Sequence, residues 1–383
     1  MKSSKHHLPI EPLKFLLGDT GMTQTYLFAD ALMDVPLDSP VNVASVPQRS
    51  PFRYPGGKTW LVPLFRRWLA SKIRPPQLLI ETFAGGGIIG LTAAMENLAQ
   101  RVILVELDDQ VAAVWETILS DGAGWLAARI QHFEMSLENL NAELLRPPES
   151  RRELAFQTIL RNRTAHGGIL AAGAGVLKHG ENGKGVSSRW YAKTIAHRIR
   201  AIGMVTDRIQ FINGDAFAVM NQYRLSHDTV FFIDPPYTAG GKRAGSRLYT
   251  HSEIDHERLF QQCGELAGDF LITYDNAPEV VALAARHGFQ TKTVAMKNTH
   301  HAEMTELLIG RDLGWMDYEW VMTEEPPPYR INPPQTIKSA RKRKKVASTR
   351  ATTTRTNVED QSSRKSKPKK SKPTTKAPKT RAA

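Results

Sequence analysis

The sequence predicts an α/β fold with a mixed, mostly parallel sheet, and three observations carry that prediction. Leu78-Leu-Ile-Glu-Thr82 is an apolar run of strand length, and a glycine cluster follows it at once. Residues 88–98 then read as a helix and residues 101–106 as a second strand, completing a strand, turn, helix, strand unit of parallel sheet. Strand-like runs recur at 208–212, 229–233, 270–273, 291–295 and 305–309. With 383 residues and 41% hydrophobic content, the chain can bury a large core.

The remaining elements follow in order. Residues 1–48 are weakly patterned and read as a loose extension. Phe52-Arg-Tyr-Pro-Gly-Gly-Lys58 is dense and aperiodic; an amphipathic helix follows over 60–72, ended by Pro75-Pro76. Residues 108–160 look largely helical. Residues 163–186 are rich in glycine and basic side chains and resemble a binding loop. The expected organisation is a cofactor-binding half at 49–135, an insertion at 136–206, a catalytic half at 207–320, a linker at 321–335 and a basic tail at 336–383.

Charge is unevenly placed. The chain carries a formal net charge of +13 from 51 basic and 38 acidic residues. Residues 336–383 hold 17 of the basic residues and only two acids, Glu359 and Asp360, so this segment carries +15 and the rest −2. Its Lys, Arg, Ser, Thr, Pro and Ala offer almost nothing to bury, which predicts disorder. Such a tail either raises general DNA affinity through counterion release or serves as a solubilising or targeting appendage. Cys263 is the sole cysteine, which excludes an internal disulfide and a Cys-based zinc cluster. His300-His301 reads as a loop between the last two strands, and no metal is expected. No apolar run spans a membrane and no signal peptide is evident, so the expected location is cytoplasmic.

Two motifs carry chemistry. Phe83-Ala-Gly-Gly-Gly-Ile-Ile-Gly90 satisfies G-x-G-x-x-G through Gly85, Gly87 and Gly90, and Glu106 stands at the end of the next strand. Glycines let the backbone approach a ligand, and a carboxylate there can accept from both ribose hydroxyls. This pair suits any adenosine-containing cofactor, NAD as well as S-adenosylmethionine. Gly56-Gly57-Lys58-Thr59 suggests a phosphate loop, but Phe52 stands where that loop needs glycine, and no strand precedes it.

The second motif, Phe231-Phe-Ile-Asp-Pro-Pro-Tyr237, ends an apolar strand in an acid, two prolines and an aromatic ring. Prolines fix the backbone and donate no N–H, so Asp234 and the carbonyl of Pro235 can face one –NH2 group while Pro236 holds the turn. Tyr237 can stack on the ring bearing that amine. Two acceptors on its hydrogens draw the nitrogen toward sp³ and disperse the charge that builds as it attacks a methyl sulfonium.

Tyr54-Pro-Gly-Gly-Lys58, then Phe83-Ala-Gly-Gly-Gly87, then Asp234-Pro-Pro-Tyr237 resembles, in content and order, the Dam-type family of adenine-N6 DNA methyltransferases over residues 50–310. The resemblance implies a Rossmann-like S-adenosylmethionine-dependent methyltransferase fold with a small inserted helical and loop target-recognition domain. It implies that Tyr54, Gly57 and Lys58 help close the cofactor pocket, that Phe83, Ala84, Gly85 and Gly87 line it, and that Glu106 holds the ribose. Asp215 matches the family's acid near the cofactor adenine, and Asp234 to Tyr237 would hold a flipped base. The implied partner is duplex DNA, with a cognate restriction nuclease as a further candidate.

Arg161, Arg163, Lys178, Lys184 and Arg189 fall in the expected recognition region, and Lys242 and Arg243 in the glycine-rich loop after Tyr237. All are candidates for phosphate or guanine contacts. Cytosine-N4, adenine-N6 in RNA and a protein glutamine amide offer comparable amines. Cytosine-C5 chemistry needs a cysteine nucleophile, and Cys263 lies in a helical stretch without a Pro-Cys motif. A NAD-dependent oxidoreductase would leave the Asp234 turn without a role, and a non-catalytic DNA-architectural protein would place the function in the basic tail.

Overall fold

The strands are β1 (Leu78–Glu81), β2 (Arg101–Glu106), β3 (Ile209–Asn213), β4 (Thr229–Ile233), β5 (Asp269–Asp275), β6 (Gln290–Lys297) and β7 (Glu303–Gly310). They form one sheet in the order β3-β2-β1-β4-β5-β7-β6. The pairings among β1 to β5 are all parallel, and β7 runs antiparallel between β5 and β6. The computed structural model describes residues 40–54, 56–171, 173–177, 179–180, 183–236, 251, 253–297 and 303–317. The candidates Tyr237, Lys178, Lys242 and Arg243 lie outside them, as do His300, His301, most of the N-terminal extension, the linker and the basic tail.

Both sheet faces are covered, which explains why the strands read as continuous apolar runs rather than alternating ones. Along β2, Val102 and Leu104 enter one hydrophobic cluster, and Ile103 and Val105 enter the other. The first cluster takes in α1 (Val62–Ala70), α2 (Ile88–Met95), α3 (Asp109–Leu119), α4 (Ala123–His132), α5 (Leu137–Leu145), α6 (Arg151–Thr164) and α7 (Ala192–Gly203). The second takes in α8 (Ala216–Gln222), α9 (His256–Glu265) and α10 (Pro278–Arg286). This is a Rossmann-like α/β fold. Leu140, Phe156, Ile159, Ile195 and Ile199, from the expected insertion, are buried in the same cluster as Leu79, Leu104 and Phe232 of the sheet.

Helix starts follow side-chain chemistry. Asp108, Ser136, Ser150, Asp215 and Asp255 each accept a hydrogen bond from a backbone N–H of the turn they precede. The helix expected over 88–98 ends at Met95, and two other boundaries differ more. The 60–72 helix divides into a 3-10 turn, Lys58–Leu61, and α1, with Pro63 in the first turn, where no helical N–H bond is lost. Helix α6 runs on through Thr164 into the segment expected to be a loop, because Asn162, Arg163 and Thr164 are buried against the chain rather than facing solvent.

From β1 the sheet grows toward β2 and β3, and from β4 it grows the other way. Parallel open sheets leave a crevice at the strand carboxyl ends where the order reverses. Here β1 and β4 are direct neighbours, with Glu81 opposite Phe232, so the glycine loop and the Asp234 turn leave the sheet side by side.

Candidate active site

The glycine loop is tied down from three sides. Gly85 N donates to Glu106 Oε2 at 2.8 Å, and Trp115 Nε1 of α3 donates to Gly85 O at 3.0 Å. Gly85 has φ +46°, and a Cβ there would lie 2.5 Å from Cε1 of the Tyr54 ring, so only glycine fits beneath that ring. Glu106 also accepts on Oε1 from Leu107 N at 2.8 Å and Asp108 N at 2.9 Å. Burial raises its pKa, against the pull of these backbone N–H groups.

Glu81, which the sequence reading did not single out, closes β1 at 3% exposure. Its Oε2 accepts from Gly90 N at 2.6 Å. Burial pushes its pKa up to about 8, and the neighbouring charges of Asp234 and Glu106 add to the shift. The available signal was an acid placed directly before the glycine cluster.

At the tip of β4, Oδ1 of Asp234 accepts from Thr273 Oγ1 of β5 at 2.7 Å and lies 3.0 Å from Lys58 Nζ. Lys58 is 3% exposed. Its Nζ donates to Gly56 O at 3.0 Å and stands 3.4 Å from Glu306 Oε2 on β7. Expected only as a pocket-closing residue, Lys58 also clamps two carboxylates brought together by β4 and β7. Burial lifts Glu306 to about 7 while Lys58 opposes the shift. Pro235 is buried and Pro236 half-buried.

These groups surround a cavity of about 480 Å³. Its walls include Tyr54, Gly57, Lys58, Phe83, Ala84, Gly87, Glu106, Asp215, Asp234 and Pro236 from the sequence-predicted set, and Glu81 beside them. Gly85 is set under Tyr54. Asp215 caps α8, accepting from Ala218 N at 2.9 Å, and faces the cavity as well.

The basic candidates divide. Arg163 is not the surface contact expected of a loop residue: it is buried at the end of α6, and its Nη2 donates to Pro51 O. It and Arg189 line the cavity. Arg161 is half-buried, with Nη1 donating to Gln110 Oε1 of α3 at 3.1 Å, and Lys184 is exposed. Two further cavity arginines, Arg53 and Arg198, were not singled out from the sequence. Asn162 completes this wall: its Oδ1 accepts from Arg53 N at 2.8 Å, and its Nδ2 donates to Arg53 O at 3.0 Å and Gly168 O at 2.7 Å. The segment leading to Tyr54 is thereby strapped to α6.

Among the described residues, no group of three or more His, Cys, Asp or Glu side chains is placed to hold a metal ion, and no helix is long and apolar enough to cross a membrane.

No protein-family model matches the chain, and no curated protein matches it. Among solved structures, it is similar to a putative RNA methyltransferase, PH1948, from Pyrococcus horikoshii. That match has 13% identity and a TM-score of 0.32, covering 76% of this chain and 98% of that one. It is also similar to the rRNA methyltransferase aviRa from Streptomyces viridochromogenes, at 14% identity and a TM-score of 0.31, covering 74% of this chain and 90% of that one.

Proposed function

We propose that this chain transfers a methyl group from S-adenosylmethionine to the N6 amine of adenine in duplex DNA. The observation that supports it is the placement of Asp234: a carboxylate on a strand tip, fixed through Oδ1 by Lys58 and Thr273, in the same cavity as the glycine loop and Glu106. The residues present fit that cofactor. The glycine loop lines the cavity through Gly86 and Gly87, and Glu106 stands at the β2 end where a ribose would meet it. A volume of about 480 Å³ lies within the roughly 300–1,000 Å³ range of small-molecule sites.

When bound, the cofactor supplies an electrophilic methyl group on a sulfonium. The protein's part is to present the nucleophile. An adenine inside a duplex cannot reach Asp234, so the base must leave the stack. Asp234 and the Pro235 carbonyl then accept the two amine hydrogens and hold the nitrogen lone pair toward the methyl. With Oδ1 held by Lys58 and Thr273, the carboxylate cannot rotate away, so its alignment exists before substrate arrives. As the N–C bond formed and the methyl's bond to sulfur broke, its electron pair staying on sulfur, the amine would acquire positive charge and shed one proton, for which Asp234 is the acceptor in reach. Tyr237 would stack on the base.

Incubation with tritiated cofactor and duplex DNA, followed by nucleoside analysis, tests this reading. N6-methyl-2′-deoxyadenosine from the DNA supports it. N4-methylcytosine, or label entering RNA alone, would reassign the substrate. An Asp234→Ala variant as active as wild type would remove the mechanism.

A further inference from the structure

Arg53, Arg163, Arg189 and Arg198 line the same cavity as Asp234. Several arginines elsewhere in the fold meet carboxylates: Arg49 and Arg66 share Glu96, and Arg151 pairs with Glu116 and Asp109, while Arg208 and Arg311 donate to backbone carbonyls. Among the described residues Arg163 and Arg198 have no carboxylate partner. Arg198 Nη1 donates to Ser50 O at 3.0 Å, and Arg163 Nη2 to Pro51 O. Arg163 is 6% exposed, and its Nε is buried without a hydrogen-bond partner among the described residues. Burial first, then Arg198, Arg53 and Arg189, press its pKa down to about 10.

A buried guanidinium without a carboxylate is an uncompensated desolvated charge, and the neighbouring positive charges add to the penalty on Arg163 unless an anion joins them. The carboxylates Glu106 and Asp234 on the cavity's other walls would repel that anion, so it is confined to the arginines. A nucleotide matches this division: its phosphate is anionic and its base presents an amine. We infer that Arg53, Arg163, Arg189 and Arg198 clamp a single backbone phosphate of the nucleic acid, the one flanking the nucleotide whose base reaches Asp234. The inference rests on the proposed function for the identity of the anion. Guanidinium forks suit a phosphodiester, which can accept two parallel N–H groups.

The test uses full-length Arg198→Ala and Arg189→Ala, with Arg200→Ala as control, since Arg200 also lies on α7 but donates to Gln131. Fluorescence anisotropy of a labelled random-sequence duplex DNA is followed over a salt series, and S-adenosylhomocysteine binding by calorimetry. Each cavity variant is expected to weaken DNA binding ~10-fold and to change the salt slope by less than about one, since three guanidiniums still neutralise the same phosphate. S-adenosylhomocysteine affinity should stay within about twofold, Arg200→Ala should match wild type, and Arg198→Lys should recover part of the loss. Thermal melting identifies a variant that fails to fold, in which case the half-buried Arg189 and the Arg198→Lys substitution carry the test. Unchanged DNA affinity would overturn the clamp. A loss confined to S-adenosylhomocysteine would overturn it too, assigning the arginines to the cofactor's carboxylate. Because these are binding readouts, a wild-type protein that binds DNA without methylating it would sink the proposed activity alone.

Discussion

Acids and arginines reach this cavity by different routes. Glu81 closes β1, Glu106 closes β2 and Asp234 follows β4, three strands in continuous register, so each acid is positioned by a few residues of its own chain and by its neighbour in the sheet. Arg53, Arg163, Arg189 and Arg198 come from a loop, the end of α6, a 3-10 turn and α7. What sets Arg163 and Arg198 is contact with backbone carbonyls more than a hundred residues away in the chain. A strand tip tolerates change elsewhere in the fold; an assembled cluster does not.

Asp234→Ala should have the greatest effect on rate. Methyl transfer, measured as tritium incorporated into duplex DNA, should fall ~10³-fold, the scale of losing a preorganised electrostatic group. S-adenosylhomocysteine affinity should change little, because the glycine loop and Glu106 are untouched. A fall in affinity as large as the fall in rate would mean that the acid serves the cofactor instead.

Next in size is Lys58→Ala, which leaves Asp234 and Glu306 without the cation they share. The expected loss is about 3–5 kcal/mol in urea unfolding, as for breaking a buried ion pair from one side. Lys58→Met combined with Glu306→Leu removes cation and acid together and should restore much of that stability without restoring rate. A loss below ~1 kcal/mol for the single variant would place Lys58 among ordinary surface pairs.

The third concerns pH. Glu81 titrates near 8 in the fold against an ordinary carboxyl value of 4.5. The folded state therefore keeps a proton that the unfolded chain has lost, and unfolding free energy should decline as pH rises from about 5 to 8, by on the order of 3 kcal/mol. Glu306, near 7, contributes with the same sign and is exhausted earlier. Glu81→Gln can still accept the Gly90 N–H and should flatten the decline in denaturant titrations across that range. An unchanged slope would mean that another group dominates.

The smallest effect is expected for Arg161→Ala, since that guanidinium is held by Gln110. Duplex DNA affinity should shift less than ~2-fold, as for a guanidinium already engaged within the fold. A loss equal to that of Arg198→Ala would show a diffuse positive field in place of a clamp.

The division between acids and arginines also explains what was legible in the sequence. The strands were readable because runs such as 230–233 are apolar without interruption, as burial on both faces demands. Glu106 and Asp234 were readable because each ends such a run. Glu306 lies inside a strand, and its meeting with Lys58 depends on β7 entering between β5 and β6, which no local pattern encodes. Helix α6 gave a weak periodic signal because Gln157, Thr158, Asn162 and Arg163 are buried on it along with Phe156 and Ile159. Polar residues that face the interior look, in one dimension, like a binding loop.

The Asn162 strap bears on modularity. Asn162 satisfies both the N–H and the carbonyl of Arg53, and its Nδ2 also donates to Gly168 O. A chimera that imports a foreign segment for residues 136–206 without an equivalent amide would leave that peptide unit unsatisfied, at about 1–3 kcal/mol for each buried group. Tyr54, directly after Arg53, would lose the anchor that keeps its ring above Gly85. Residues 50–54 and the segment around 162 thus form one unit of exchange, inherited or grafted together.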